Sequence, residues 1–370
     1  MSTATELVDA QQPTSGDEPV LEAVHVTKHF PVHGGGRVGR RGAARVVHAV
    51  DDVSIRLYAG RITALVGESG SGKSTLARLL AQLHPLTGGE IRLHGQVSHA
   101  PRGRAFREYA RRVQLILQDP FSSLNPVATI SKTLHRVVAI HHPGKRRAER
   151  SAIIDDLLAQ VSLVPQRQFT EKFPHELSGG QLQRISIARA LAAGPEVFLA
   201  DEPVSSLDVS IRLGILNLLR QLTEERRVAM LYVTHDIASA RYFAADTAVM
   251  YAGEVVESGP SEAVTQQAAH PYTQLLIASA PDPSRSGPAA VRDIGQPPSL
   301  IDPPSGCRFH PRCPFAWQRC SAEAPPAFPL SDGHTARCWL YSDDPQAPQK
   351  RAENARAVGK VTDFEGEDAS

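Results

Sequence analysis

The run Gly67-Glu68-Ser69-Gly70-Ser71-Gly72-Lys73-Ser74 has the residue types and spacing of a phosphate cradle, G-x-x-x-x-G-K-[ST]. Glycines at 67, 70 and 72 let successive backbone N–H groups turn inward around a β-phosphate at a helix N-terminus. Lys73 adds a point charge toward the β- and γ-phosphates, and the Ser74 hydroxyl is a ligand for Mg²⁺. Downstream, the apolar run Val197-Phe198-Leu199-Ala200 ends in two acids, Asp201 and Glu202. Carboxylates placed there can hold the magnesium shell (Asp201) and polarise an attacking water (Glu202), the alternative being a solvated strand end or a helix cap. By itself the phosphate loop says only that some nucleotide is bound.

Such groups must be held by a sheet and its helices. Ile62 to Val66 reads as a buried strand feeding the loop, and Lys73 to Leu83 begins a helix. Further strands are expected at Val197–Ala200, Ala229–Thr234 and Thr247–Tyr251, with the acid-tipped strand lying beside the one that carries the loop. Between the first two, Ile211, Ile215, Leu218, Leu219 and Leu222 form one helix face, so strand, helix and strand predict a right-handed crossover and a parallel sheet. The pentapeptide Leu177-Ser178-Gly179-Gly180-Gln181 opens a helix with Ser178 at its N-cap. Leu21 to about His84 is strand-like, broken by a Gly/Arg stretch at 34–42 that reads as a solvated hairpin loop. From about 100 to 190 the pattern is mostly helical, with Ile153, Ile154, Leu157, Leu158 and Val161 at helical spacing. Residues 1–19 and 343–370 are polar and read as disordered tails.

The chain has 370 residues and a net charge of +1, so no global field argues for nucleic acid as a partner. No apolar run of about 18 residues offers a membrane span. The polar, acidic N-terminus lacks the apolar core of a signal peptide, so the expectation is a cytosolic chain whose membrane role comes through a partner.

With the 177–181 pentapeptide standing between the phosphate loop and the two acids, the chain resembles the ATP-binding subunit of an ABC transporter over about residues 20–342. The resemblance implies an α/β fold: a P-loop NTPase cassette at 20–260 with an antiparallel β subdomain, a parallel-sheet core and an inserted helical subdomain at about 100–190. A small cysteine-containing extension follows at 261–342. In that family the signature of one subunit closes over ATP held by another, so Ser178, Gly179, Gly180 and Gln181 face the γ-phosphate in trans. The resemblance also places Gln118 at the magnesium and the attacking water, His235 at the γ-phosphate, Asp208 in the loop crossing the dimer interface, and Phe30 on the adenine. Ser69, Ser71 and Thr75 complete the nucleotide-binding set. Glu202, His235, Gln118 and Lys73 form the catalytic one.

Three longer strings resemble the oligopeptide/dipeptide branch of ABC importers: Gln118 to Pro126, His270 to Leu276 and Gly306 to Pro314. They imply a peripheral ATPase on the cytoplasmic face of the cell membrane, powering import of peptides or a related small solute such as nickel. Its implied partners are a second ATPase subunit (a paralogue or a second copy), two transmembrane permease subunits and, indirectly, an extracytoplasmic solute-binding protein. A soluble ABC ATPase acting on ribosomes or DNA is the alternative class, but such proteins usually carry tandem cassettes or long coiled-coil insertions that this chain lacks.

All four cysteines lie late, at 307, 313, 320 and 338, spaced C-x5-C-x6-C-x17-C. Disulfides do not suit a cytosolic chain, and the short C-x2-4-C knuckle of structural zinc is absent. Four thiolates without a knuckle suit an iron–sulfur cube better than a zinc tetrahedron, while free buried thiols are the plain alternative. The family resemblance implies a [4Fe–4S] cluster on Cys307, Cys313, Cys320 and Cys338; were the metal zinc, His310 and His334 would be spare ligands.

Overall fold

The computed structural model describes residues 18–32, 45–100, 102–280, 295–331 and 333–362. The expected tail at 1–17 and the Gly/Arg loop at 34–42 lie outside the described residues. Twelve strands are present among them: β1 (Leu21–Pro31), β2 (Val46–Leu57), β3 (Ile62–Val66), β4 (Gly88–Leu93), β5 (Gln96–Val97) and β6 (Val113–Ile116). The second half holds β7 (Val197–Asp201), β8 (Ala229–Thr234), β9 (Asp246–Tyr251), β10 (Glu254–Pro260), β11 (Phe328–Ser331) and β12 (His334–Ala336).

They form two sheets. The first is antiparallel, in the order β2-β1-β4-β5, and brings the N-terminal strands together. The second runs β11-β12-β10-β9-β3-β8-β7-β6. Its centre, β9-β3-β8-β7-β6, is parallel. Every residue of β3, β7 and β8 is buried, as expected of strands covered on both faces. The helices Lys73–Leu80, Val209–Arg226 and Ile237–Phe243 connect and cover these strands.

The sheet corrects two expectations. The acid-tipped strand β7 is not beside β3, because β8 runs between them. The helical block is also interrupted by β6, which pairs in parallel with β7 at the sheet edge. Four residues are too few to display a strand period, which is why Val113–Ile116 reads as part of the helical stretch. The rest of that block is helical: Ile130–His141, Arg147–Gln160 and Gly179–Leu191. Their apolar sides share one core with the sheet face that carries Phe198 and Tyr232.

The late region is joined to the core through the main sheet, since β12 pairs with β10 at Glu257–Ala336 and Ser258–Thr335. It has an apolar cluster of its own around Tyr251, Val264, Tyr272 and Phe309. The expected tail from 343 contains a helix, Ala347–Thr362, that buries Ala347 and Asn354. One small and one polar buried side chain leave that segment polar in composition although it docks.

Candidate nucleotide site and cysteine cavity

The phosphate loop joins β3 to the helix Lys73–Leu80, and its glycines are demanded by crowding. A Cβ on Gly67 would stand 2.1 Å from the Met250 carbonyl oxygen. At Gly72 the backbone has φ +107°, and a Cβ would meet the Ala49 carbonyl at 2.2 Å. Lys73 is buried and donates to the carbonyls of Gly67 and Glu68, each at 2.8 Å. Burial pulls its pKa down, while Glu202, Asp201 and Glu68 pull it back up. The Ser71 hydroxyl is buried with no partner inside the loop. An unsatisfied donor beside a buried ammonium under a helix N-terminus is a fit for phosphate oxygens. Ser69 is exposed at the rim, and Thr75 is half-buried in the first helical turn.

The two acids lie at the same end of the sheet. Ser74 Oγ donates to Asp201 Oδ1 at 2.7 Å, which brings together the two oxygens that fit a hard cation. Burial holds the Asp201 carboxyl above its ordinary range, with the Ser74 bond opposing that shift. Glu202 has φ 47°, a left-handed backbone for a non-glycine residue, fixed by its N–H bond to the Val233 carbonyl at 3.0 Å. Its Oε2 is approached by Gln118 Nε2 at 3.3 Å and by His235 Nδ1 at 3.4 Å. Catalytic candidates from three separate loops thus converge on one carboxylate oxygen. Phe30 pairs with Val47 between β1 and β2, and its half-buried ring meets His84 edge-on at 5.5 Å between centroids and carries Lys28 Nζ at 4.9 Å. Among the described residues no ring contact joins it to the phosphate loop.

The signature stands elsewhere. Ser178 caps the helix Gly179–Leu191 by accepting from Gln181 N at 3.3 Å, and Gln181 Oε1 accepts from Ser178 N at 3.1 Å. Gly179 packs against Leu207 and Gly180 against Ile211, which ties the signature to the loop bearing exposed Asp208. Among the described residues no hydrogen bond joins 177–181 to the phosphate loop.

All four cysteines are free thiols lining one cavity of about 310 Å³, mouth included, with His270, Phe309, His310 and Trp339 also in its wall. Burial pushes Cys307 up to about 12 and Cys313 up to about 11, and facing thiols add to the rise. Four sulfurs that resist ionisation until a cation arrives are a donor set suited to a metal. No three of these sulfurs lie within 4.8 Å of one another. In every trio at least one pair is therefore wider than the roughly 3.8 Å edge of a tetrahedron built on Zn–S bonds of about 2.3 Å. His270 Nδ1 accepts from Tyr272 N at 3.0 Å, which leaves its proton on Nε2, a buried atom without a partner in this wall. His310 lines the cavity, but His334 does not: Glu257 holds its Nε2 at 2.8 Å, which corrects its expected role as a spare ligand.

Several residues that bear on the site were not anticipated. Glu68 N donates to Tyr272 Oη at 2.9 Å, and the Glu68 carboxylate takes two bonds from Arg312, at 3.0 and 3.1 Å. Arg308 donates to Asp51 and to the Ala252 carbonyl, and pairs with Glu254 at 3.0 Å. Asp51 also binds His29 and His48; these three could hold a metal, and Asp51 is already paired with the Arg308 cation. The signal for these arginines lay in the string Gly306–Pro314, where both are neighbours of cysteines.

A parallel-sheet core, a phosphate loop and a separate signature helix define an ATP-binding cassette, an ATPase of the P-loop class. A family model described as ABC transporter matches residues 50–205, and one described as oligopeptide/dipeptide transporter, C-terminal region, matches 256–320. The chain belongs to the ATP-binding subunits of ABC transporters, in the oligopeptide/dipeptide branch. It is 38% identical over 332 residues to the oligopeptide transport ATP-binding protein AppF of Bacillus subtilis, covering 89% of this chain and 99% of the relative. The dipeptide transport ATP-binding protein DppF of Escherichia coli is 35% identical over 339 residues, covering 90% and 97%. Among solved structures, an ATP-binding cassette determined as a dimer in a post-hydrolysis state with ADP and Pi superposes with a TM-score of 0.56. It is 27% identical and covers 65% of this chain and 98% of that one.

Proposed function

We propose that this chain hydrolyses ATP to power import of oligopeptides or dipeptides through a separate membrane permease, from the cytoplasmic face of the membrane. The observation that carries the reading is the convergence of Gln118 and His235 on Glu202 in a chain that also bears an intact signature at 177–181. Glu202 orients the attacking water and accepts its proton as the new oxygen–phosphorus bond forms. The bond to the bridging oxygen then breaks, and ADP and phosphate leave. Lys73 and the loop amides absorb charge on the transferring group. Ser74, Asp201 and Gln118 would hold Mg²⁺, which would supply positive charge to offset that of the transferring phosphate.

The phosphate loop and signature do not meet within one chain, so the working unit is two cassettes arranged head to tail, the partner being a paralogue or a second copy. Ser178 and the amides of 179 and 180 then act on the partner's nucleotide. The segment 119–126 faces the permease: Phe121 is 51% exposed there, and the Arg189 guanidinium pins the Ser123 carbonyl. Peptide as cargo rests on the relatives' names and the late-region family. No helix among the described residues is long and apolar enough to cross a membrane. The four cysteines hold an iron–sulfur cluster, a reading supported by their wide placement around one cavity; Lys73, Asp201 and Glu202 do not line that cavity, which favours a structural or partner-docking role over redox catalysis.

Deleting the gene should abolish uptake of a labelled dipeptide and a labelled oligopeptide. Uptake unchanged across a panel of peptides, nickel and other small solutes would move the protein to a non-transport role, and loss of nickel uptake alone would change the cargo. Anaerobically purified protein should be brown, and Cys313→Ser should bleach it. Colourless protein with stoichiometric zinc would replace the cluster, and protein without metal would leave free thiols.

A further inference from the structure

Glu68 lies inside the phosphate loop, and each of its polar groups is engaged. Its carbonyl accepts from Lys73 at 2.8 Å, its N–H donates to Tyr272 Oη at 2.9 Å, and its carboxylate accepts both Arg312 bonds. The first contact belongs to the nucleotide site. The other two come from residues that flank the wall of the cysteine cavity in the chain, Tyr272 next to Pro271 and Arg312 next to Cys313. Arg312 immediately precedes Cys313, and Tyr272 follows His270 by two residues, His270 Nδ1 accepting the Tyr272 N–H. Between cavity and loop stands a packed aromatic group: Tyr251 and Tyr272 have ring centroids 4.5 Å apart, and Phe309 meets them at 5.3 and 5.5 Å. Arg312 crosses this group and donates to Tyr251 Oη at 3.2 Å. Its side chain is 10% exposed.

We infer that Arg312 and Tyr272 are positioning residues for the phosphate loop, and that through them ATP binding and metal filling of the cysteine cavity form one coupled equilibrium. The coupling rests on the reading that the cysteines hold metal; the positioning role does not. A planar guanidinium bonded through two nitrogens to one carboxylate fixes direction as well as distance. Metal on Cys313 fixes the backbone next to Arg312, and Arg312 then fixes Glu68 and the carbonyl that holds Lys73. When the cavity is empty, Cys313 loses that anchor, and the loop loses a constraint on the geometry it needs for phosphate. Coupling of two binding events is reciprocal, so ATP must tighten metal retention by the factor by which metal tightens ATP.

The test uses the full chain, purified anaerobically with its metal counted, beside the same chain stripped by a chelator. ATP affinity is measured on both for wild type, Arg312→Gln, Glu68→Gln and the double variant. We expect each single variant to weaken ATP by about 5- to 150-fold, the usual span of site coupling. The double variant should be no weaker than either single one. Stripping should weaken ATP in wild type and have little effect in Arg312→Gln, and bound ATP should slow metal loss to the chelator. Glu68→Gln lies outside the cysteine region, so it decides the matter if Arg312→Gln fails to fold. A lowered melting temperature with additive or absent effects on ATP affinity would make the ion pair merely structural and overturn the positioning role. Metal present but without influence on ATP would overturn the coupling and leave the metal reading intact. Protein that never carries metal would remove that reading, and the double-variant comparison would still decide the positioning role.

Discussion

Ser74 Oγ lies 2.7 Å from Asp201 Oδ1, although the strand preceding Ser74 and the strand ending at Asp201 are separated by β8. The contact is possible because parallel strands end together: β3, β8 and β7 all present their C-terminal ends on one edge of the sheet. The helix Lys73–Leu80 starts at that edge and carries Ser74 across the intervening strand. Functional groups at this edge are therefore brought together by strand direction rather than by strand adjacency.

That placement separates binding from chemistry. Glu202→Gln keeps the side-chain volume but removes the proposed base, so ATP should still bind while hydrolysis falls by about 10²- to 10⁴-fold. Lys73→Ala removes the buried cation from the loop and should weaken ATP binding itself. Steady-state turnover measured beside equilibrium nucleotide binding distinguishes the two. Near-normal turnover in Glu202→Gln would remove it as the base.

Gly72 gives a sharper structural prediction. Its φ of +107° disfavours any side chain, and the Ala49 carbonyl stands 2.2 Å from where a Cβ would go. Gly72→Ala must move either the loop or β2, at a cost of about 1–3 kcal/mol for strained backbone alone. Thermal unfolding should show the loss, and ATP affinity should fall with it.

The phosphate loop, the acids and the signature were legible because each is a contiguous string whose chemistry does not depend on distant residues. Strand order was not legible, since pairing is non-local and β8 is later in the chain than β7. The clamp on Glu68 was hidden for the same reason: its partners Tyr272 and Arg312 are 204 and 244 residues away. The cysteine region is a Pro-rich stretch with little apolar periodicity of its own, so its packing could not be read locally. Folding collects Tyr251, Tyr272 and Phe309 from three separate segments into one cluster.

Glu196 gives a pH signature unrelated to catalysis. Its carboxylate receives Arg112 through two bonds at 2.7 and 2.8 Å and His94 at 2.6 Å, which ties the start of β7 to the first sheet. The Arg112 bonds, ahead of opposing burial, hold its pKa down at about 2 against an ordinary 4.5. A depressed acid contributes stability above its unfolded pKa and loses it as pH falls through its folded one. The cost of Glu196→Gln should therefore be full at neutral pH and vanish between pH 4.5 and about 2. Partial exposure limits it to about 1 kcal/mol. Urea titrations of both proteins across that window measure it, and a constant difference at every pH would refute the charge as its origin.

The signature serine has two separable duties. Its hydroxyl caps the helix Gly179–Leu191, and in the proposed head-to-tail dimer the same hydroxyl would donate to the γ-phosphate held by the partner. Replacing an N-cap serine by alanine costs about 1 kcal/mol, whereas glycine costs only a few tenths. Ser178→Gly should therefore melt close to wild type while still losing the phosphate donor. ATP binding to the isolated chain should be unchanged, because the chain's own phosphate loop is untouched. Dimer formation in a Glu202→Gln background with ATP should weaken, as read by sedimentation against protein concentration. If Ser178→Gly dimerises and turns over ATP as wild type does, the hydroxyl is a helix cap alone and the trans contact is made by the backbone of 179 and 180.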